Sequence, residues 1–129
     1  MSEFEEPFDE DEIDTVFPNA GEFVQSWLLP VFNRKANGRD VFWCPEWWKH
    51  PEAVFRLTSL WRSWEVARAE PATMGSWTRD QLDYHLQILM SSTGPFRYCS
   101  LTEHNSERYQ RDTAALIKEP PPGVFDMLI

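Results

Sequence analysis

The stretch Pro51-Glu52-Ala53-Val54-Phe55-Arg56-Leu57-Thr58-Ser59-Leu60-Trp61-Arg62-Ser63-Trp64-Glu65-Val66-Ala67 decides the fold class of this chain. Val54, Leu57, Leu60, Trp61, Trp64 and Ala67 recur at three- and four-residue steps, which puts them on one face of a helix. Arg56, Arg62, Glu65 and Arg68 fall mainly elsewhere. Pro51 suits a first-turn position and Glu52 the positive end of the helix dipole. The helix is predicted to stop near Glu70, because Pro71 disfavours helical geometry in the residue before it.

Working outward, a partner helix is predicted from Ser76 or Thr78 to Ser91. Thr78 and Gln81 have capping-box spacing, and Leu82, Leu86, Leu89 and Met90 supply a buried stripe. Ser91-Ser92-Thr93-Gly94-Pro95 ends it. Upstream, Gly21 to Asn33 reads as a first helix on Phe23, Trp27 and Val31, capped by Asn19 and interrupted by Pro30. Asn37-Gly38 marks a turn. Residues 40–48 read as a compact aromatic segment, a short strand or an extended stretch. The C-terminal part is irregular, with a short helix in 105–116 and an extended Pro120-Pro121-Pro122-Gly123 spacer. Val124, Phe125 and Met127-Leu128-Ile129 either pack back on the core or stay exposed. The expected architecture is mainly α: a small three-helix domain over residues 20–129, with an irregular C-terminal segment.

Residues 1–19 form a separate acidic tail, predicted to be disordered. Eight acids lie in the first 14 residues with no base among them, which leaves 13 acids against 12 bases in the rest. The overall charge of -9 is therefore a property of the tail. A nearly neutral folded part argues against a nucleic-acid binder that works through a strong basic field. Phe4, Phe8, Ile13, Val16 and Phe17 are spaced among the acids, a pattern found in segments that fold onto a basic, apolar surface. A solubilising tail, a docking peptide and a segment that folds back on its own domain all fit.

At 129 residues the chain is one domain long, and seven Trp with nine Phe can build a core without staples. No run of 18 apolar residues exists, so no membrane span is expected. An acidic start does not fit a secretory signal, so the expected compartment is the cytoplasm, where two cysteines stay reduced or bind metal.

Two Cys/His pairs carry the sharpest chemical reading. Cys44 and His50 flank the start of the Pro51 helix; Cys99 and His104 follow the end of the next one. If those helices form an antiparallel hairpin, its open end holds both pairs. Two thiolates and two imidazoles suit a tetrahedral structural zinc, although the set lacks a Cys-x2-Cys knuckle. Unliganded structural residues and redox or catalytic use of either Cys are the alternatives. His85 is a spare ligand or a half-buried helix residue. No orienting third group, His-Glu-x-x-His or phosphate loop is present, so an enzyme is not expected and a Cys-dependent one is the remote alternative.

The tryptophans read mainly as core, with Trp43, Trp47 and Trp48 as a candidate contact patch for a protein partner. Arg56, Arg62, Arg108 and Arg111 are candidate nucleic-acid contacts. In that alternative the acidic tail is an autoinhibitory mimic of phosphate, tethered at high effective concentration.

Three stretches carry a family resemblance: Trp43-Cys44-Pro45-Glu46-Trp47-Trp48-Lys49-His50-Pro51-Glu52-Ala53, Leu60-Trp61-Arg62-Ser63-Trp64-Glu65, and Gly94-Pro95-Phe96 with Cys99 and His104. Over roughly residues 22–125 the chain resembles an uncharacterised actinobacterial domain family of unknown function. Its members look like small proteins often encoded near conjugation, plasmid or phage genes. The family pattern resembles this sequence at Cys44, His50, Cys99 and His104, and it leaves residues 1–19 outside. The resemblance implies an accessory or interaction protein of a mobile genetic element, and it supplies no activity.

Overall fold

The computed structural model describes residues 14–127. The described chain is helical and contains no strand. Four helices organise it. α1 spans 20–31, α2 Pro51–Ala67, α3 spans 74–89 and α4 Glu107–Ala115. The stretch 40–48, read as a short strand or an extended stretch, forms no strand: it is without regular structure through 44 and then tightens into a 3-10 turn at Trp47–Lys49.

α1 begins where Asn19 caps it: the side-chain carbonyl accepts the Glu22 N–H at 2.9 Å. The helix passes through Pro30 to Val31 and accommodates it with a π turn at Val24–Leu28, in which the Leu29 N–H reaches back to Val24. A proline cannot donate to the ladder and its ring crowds the preceding turn, so widening that turn lets the helix continue.

α2 is the central element. Its buried face is Ala53, Leu57, Leu60, Trp64 and Ala67. Val54, expected on that face, is exposed, and Trp61 is half-buried. The stripe is rotated toward Ala53 because α1 and α3 pack on that side, and the small Ala53 allows close approach. Glu65, expected outside the stripe, is buried.

α3 starts earlier than predicted. A 3-10 turn at Pro71–Thr73 leads directly into Met74, so Thr78 lies inside the helix and is no cap. Its hydroxyl donates instead to the Met74 carbonyl at 2.8 Å, at the entry of a π turn at Thr78–Asp83. α2 and α3 run antiparallel. The Trp77 indole N–H donates to Ser63 Oγ at 2.8 Å near the closed end, and Arg56 reaches His85 Nδ1 at 3.0 Å toward the open end.

An aromatic core joins α1 to this hairpin. Trp64 lies 5.0 Å from Trp27 and 5.4 Å from Phe23, ring centre to ring centre. Such pairs add ~0.5–1.5 kcal/mol each beyond the area they bury. Phe17 joins the same cluster at 5.6 Å from Trp64.

The tail boundary therefore shifts. Residues 14–17, assigned to the disordered tail, are packed on α2 through Glu65. The Val16 and Phe17 N–H groups each donate to its carboxylate at 2.9 Å. Arg68 donates both to Glu65 and to the Asp14 carbonyl. The remaining tail, 1–13, lies outside the described residues, as do Leu128 and Ile129. Val124 and Phe125 are exposed. Among the described residues no helix is long and apolar enough to cross a membrane.

Candidate metal centre

Each arm of the Cys/His cluster is placed by a local rule. Asn37 Oδ1 accepts the N–H groups of Arg39, Asp40 and Val41, and Gly38 takes a φ of 72°, so the chain reverses tightly. The Phe42 N–H then donates to the Met90 carbonyl at 2.9 Å, which pins the next residues to the end of α3. Trp43 packs edge-on against Phe96, and Cys44 follows, fully buried. His50 precedes Pro51 and adopts the extended geometry (φ -109°, ψ 110°) that a pre-proline residue prefers. It is thus the last residue before α2, fixed in place by the helix start.

The second arm leaves α3 through a wound segment with Gly94 at its centre. A Cβ on Gly94 would run into the Ile88 carbonyl, so only glycine lets the chain fold this tightly against the helix end. Phe96 is buried under Trp43 and His50. Cys99 follows, its N–H bonded to the Phe96 carbonyl. Ser100 and Glu103 close a small turn: Ser100 N–H to Glu103 carbonyl at 2.9 Å, and Glu103 N–H to Ser100 Oγ at 3.1 Å. That turn returns His104 to the side of Cys99.

The four residues meet. Cys44 Sγ lies 3.4 Å from His104 Nδ1. Cys99 Sγ lies 3.6 Å from His50 Nε2 and 3.7 Å from His104 Nδ1. All four ligand atoms fall within 4.8 Å of one another. A tetrahedron with Zn–S near 2.3 Å and Zn–N near 2.0–2.1 Å has S–N edges of about 3.5 Å and an S–S edge of about 3.8 Å. These three sulfur–nitrogen distances match the S–N edge.

The electrostatics describe a site short of positive charge. Burial pushes the Cys44 thiol up to about 11; the backbone N–H of Glu46 pulls the other way, and Cys99 adds to the rise. Burial also lowers the His50 pKa, with His104 contributing. Both shifts favour the uncharged forms of Cys44 and His50. Yet the sulfurs are prepared for charge: the Glu46 N–H bonds to Cys44, and the Asn105 N–H donates to Cys99 Sγ at 3.4 Å. Amide donors of this kind support metal thiolates. The residues present therefore fit a divalent zinc. A hollow of about 330 Å³ lined by Lys49, His50, His104 and Tyr109 lies beside the site.

A clasp outside the ligand set holds α4 against this end. Asp112 accepts the Tyr98 hydroxyl at 2.6 Å and Arg97 at 2.8 Å. The Arg97 guanidinium lies over the Tyr98 ring at 5.0 Å and the Tyr109 ring at 4.8 Å. Nothing in the spacing of these residues pairs them, because the contact spans a loop of irregular chain. Glu65 was equally hidden. It reads as one more acid on a charged helix flank, and the only hint is its position four residues after Trp61 and three before Arg68.

The other candidate residues are dispersed. Trp43, expected in a contact patch, is core: its ring fills the space over Phe96. Trp47 is half-buried, and Trp48 is exposed at 59%. Arg56 is paired with Glu52 at 2.9 Å, and Arg108 lies over the Tyr98 ring. Arg62 and Arg111 are exposed. His85 contacts Arg56 and is not part of the four-residue cluster; burial, then the Arg56 charge, lowers its pKa.

These features define a small α-helical domain whose irregular segments are gathered at one end by a Cys2His2 cluster. The chain belongs to the DUF4913 family, a domain of unknown function, whose pattern matches residues 17–119. The match begins at Phe17, the first tail residue seated in the aromatic core, and it includes all four cluster residues. No characterised protein and no solved structure matches the chain.

Proposed function

We propose that this domain is a small non-catalytic interaction protein, stabilised by one structural zinc on Cys44, His50, Cys99 and His104, that works by binding a protein partner. The convergence of four ligand atoms within 4.8 Å carries the zinc reading. Two sulfurs and two nitrogens complete a tetrahedron, which leaves no open position for an activated water. A structural metal here ties residues 97–116 to the start of α2, where few apolar contacts would otherwise hold them. The reducing cytoplasm is the compartment in which both thiols remain available as ligands. The resemblance to actinobacterial proteins encoded near conjugation, plasmid or phage genes supports an accessory role in a mobile genetic element. Trp48, exposed beside the half-buried Trp47, is the aromatic residue best placed to contact the partner.

Native mass spectrometry of untagged protein beside Cys99→Ser tests the reading. The expected result is one zinc per chain, lost in the variant together with thermal stability. A metal-free protein whose melting temperature is unchanged in Cys99→Ser would sink it.

A further inference from the structure

Both histidines of the cluster turn one ring nitrogen toward the sulfurs, His50 through Nε2 and His104 through Nδ1. With a metal on those atoms, His50 Nδ1 and His104 Nε2 are left carrying the ring protons. Metal-bound histidines as a rule donate that second N–H to a carboxylate, a carbonyl or a water, which fixes the ring and strengthens the ligand. Among the described residues neither ring finds such an acceptor. His50 stands immediately before α2 and makes no side-chain capping bond. It is only 4% exposed, so bulk solvent does not serve it either.

The hollow beside the site is suited to the missing group. It holds about 330 Å³, and both histidines line it. Lys49, Ser106, Tyr109 and Gln110 stand around them, and no acid is among the described lining residues. Lys49 meets Glu46 at 2.5 Å, but it is half exposed and its ammonium has three N–H donors, so a second acceptor can join. Ser106 precedes α4 without capping it, which leaves its hydroxyl uncommitted. The Tyr109 ring, 6.3 Å from the His50 ring centre to centre, forms a wall. The set offers several donors and one cation, which favours a group that only accepts and carries negative charge. The volume lies at the small end for a ligand site, enough for a side chain and too little for a bulky cofactor.

We propose that this hollow binds a carboxylate, which accepts from the free ring N–H groups of His50 and His104, pairs with Lys49 and is supplied by an acidic side chain of the protein partner. Its two oxygens serve two donors at once. The inference rests on the metal reading, because the metal fixes which ring nitrogens keep their protons. It gives the partner a chemistry: an acidic peptide that completes the shell around the metal, next to Trp48, the exposed residue preceding Lys49.

The test uses the full chain, with zinc counted first by native mass spectrometry. The zinc-loaded protein is titrated with acetate and with a capped pentapeptide carrying one central glutamate, followed by NMR through the ring nitrogens of His50 and His104. Saturable shifts are expected at both rings, with the matching glutamine peptide about tenfold weaker. Lys49→Met should lower affinity about fivefold at an unchanged melting temperature, the scale of one exposed ion pair. A peptide that binds more tightly than acetate supports the protein partner; equal affinity would overturn that source and leave a free small carboxylate as the ligand. A chain that takes up no zinc would overturn both readings. One zinc per chain with rings unmoved by tens of millimolar of either probe, or a glutamine peptide that binds as well, would overturn this one alone.

Discussion

The two ends of α2 solve the same problem with opposite charge balance. At each end an irregular segment is fastened to the helix by buried polar groups. At the Glu65 end the fastening is complete within the chain. One carboxylate meets the Arg68 guanidinium, the N–H groups of Val16 and Phe17, and the Trp61 indole at 3.2 Å. At the Cys/His end two thiols and two imidazoles converge within 4.8 Å of one another, a set that suits a bound metal ion. The first end should be indifferent to metal and sensitive to acid. The second should depend on a divalent ion.

The largest expected effect breaks the Cys/His end alone. Chelation, or Cys99→Ser, should lower the melting temperature by about ten degrees or more, on the scale of several kcal/mol for a domain of this size. Limited proteolysis should then cut within residues 97–116 while α1 and the 14–17 strap stay protected. Equal loss of protection at both ends would show that they are not separate devices.

The next effect breaks the other end. Glu65→Ala leaves the part-buried N–H groups of Val16 and Phe17, the Trp61 indole and the Arg68 charge without their acceptor, and should cost about 1–3 kcal/mol of unfolding free energy. Zinc content should not change. Glu65→Gln should cost less, because the amide still offers one oxygen.

Acid separates wild type from that variant. Burial by itself would raise the Glu65 pKa, but the hydrogen bonds from Arg68, Phe17, Val16 and Trp61 outweigh it and hold the carboxyl below its ordinary value. A group whose folded pKa is depressed contributes stability above its unfolded pKa and loses it as pH falls through the folded value. The contribution is therefore full above the usual carboxylate range and fades below it. Stability of wild type and Glu65→Gln, measured from neutral to acid pH, should converge below about pH 4. A gap that stays constant would mean that the charge is not what holds the strap.

The sequence makes one of these ends far more legible than the other. Cys and His are rare enough that four of them around one helix hairpin stand out, and the hairpin itself follows from Pro51, Leu57, Leu60, Trp64 and the Leu82-Leu86-Leu89 stripe. The antiparallel pairing then brings the ligands together. Glu65 gives no such signal, because its partners are backbone amides of residues 16 and 17, and backbone donors are the same at every position. Residues 14–17 show this: of the three fates that fit an acidic tail, they fold back on their own domain, docked by Phe17 and two N–H groups that no spacing pairs with Glu65. Trp43 and Val54 went astray differently. Periodicity gives the apolar face of a helix only to within one residue, and whether an aromatic beside a turn is covered depends on a distant segment, here Phe96.

The smallest effect sharpens the comparison by asking whether the clasp on α4 belongs to the metal end. Asp112 is partly exposed, and its carboxylate is held low first by the Tyr98 hydroxyl and then by Arg97. If zinc gathers residues 97–116, the clasp forms only when the ligands are already in place. Asp112→Ala should then leave the stability of the metal-stripped protein unchanged, because the contact is absent there. In the loaded protein the lost contact must appear as weaker metal binding, since binding and folding of this segment share one free energy. Competition with a chromophoric chelator should show zinc affinity lowered a few-fold, with Glu65→Gln as a control that leaves it alone. An equal destabilisation of the stripped and loaded forms would mean that α4 holds its place without the metal, and that the Cys/His end resembles the Glu65 end more closely than its charges imply.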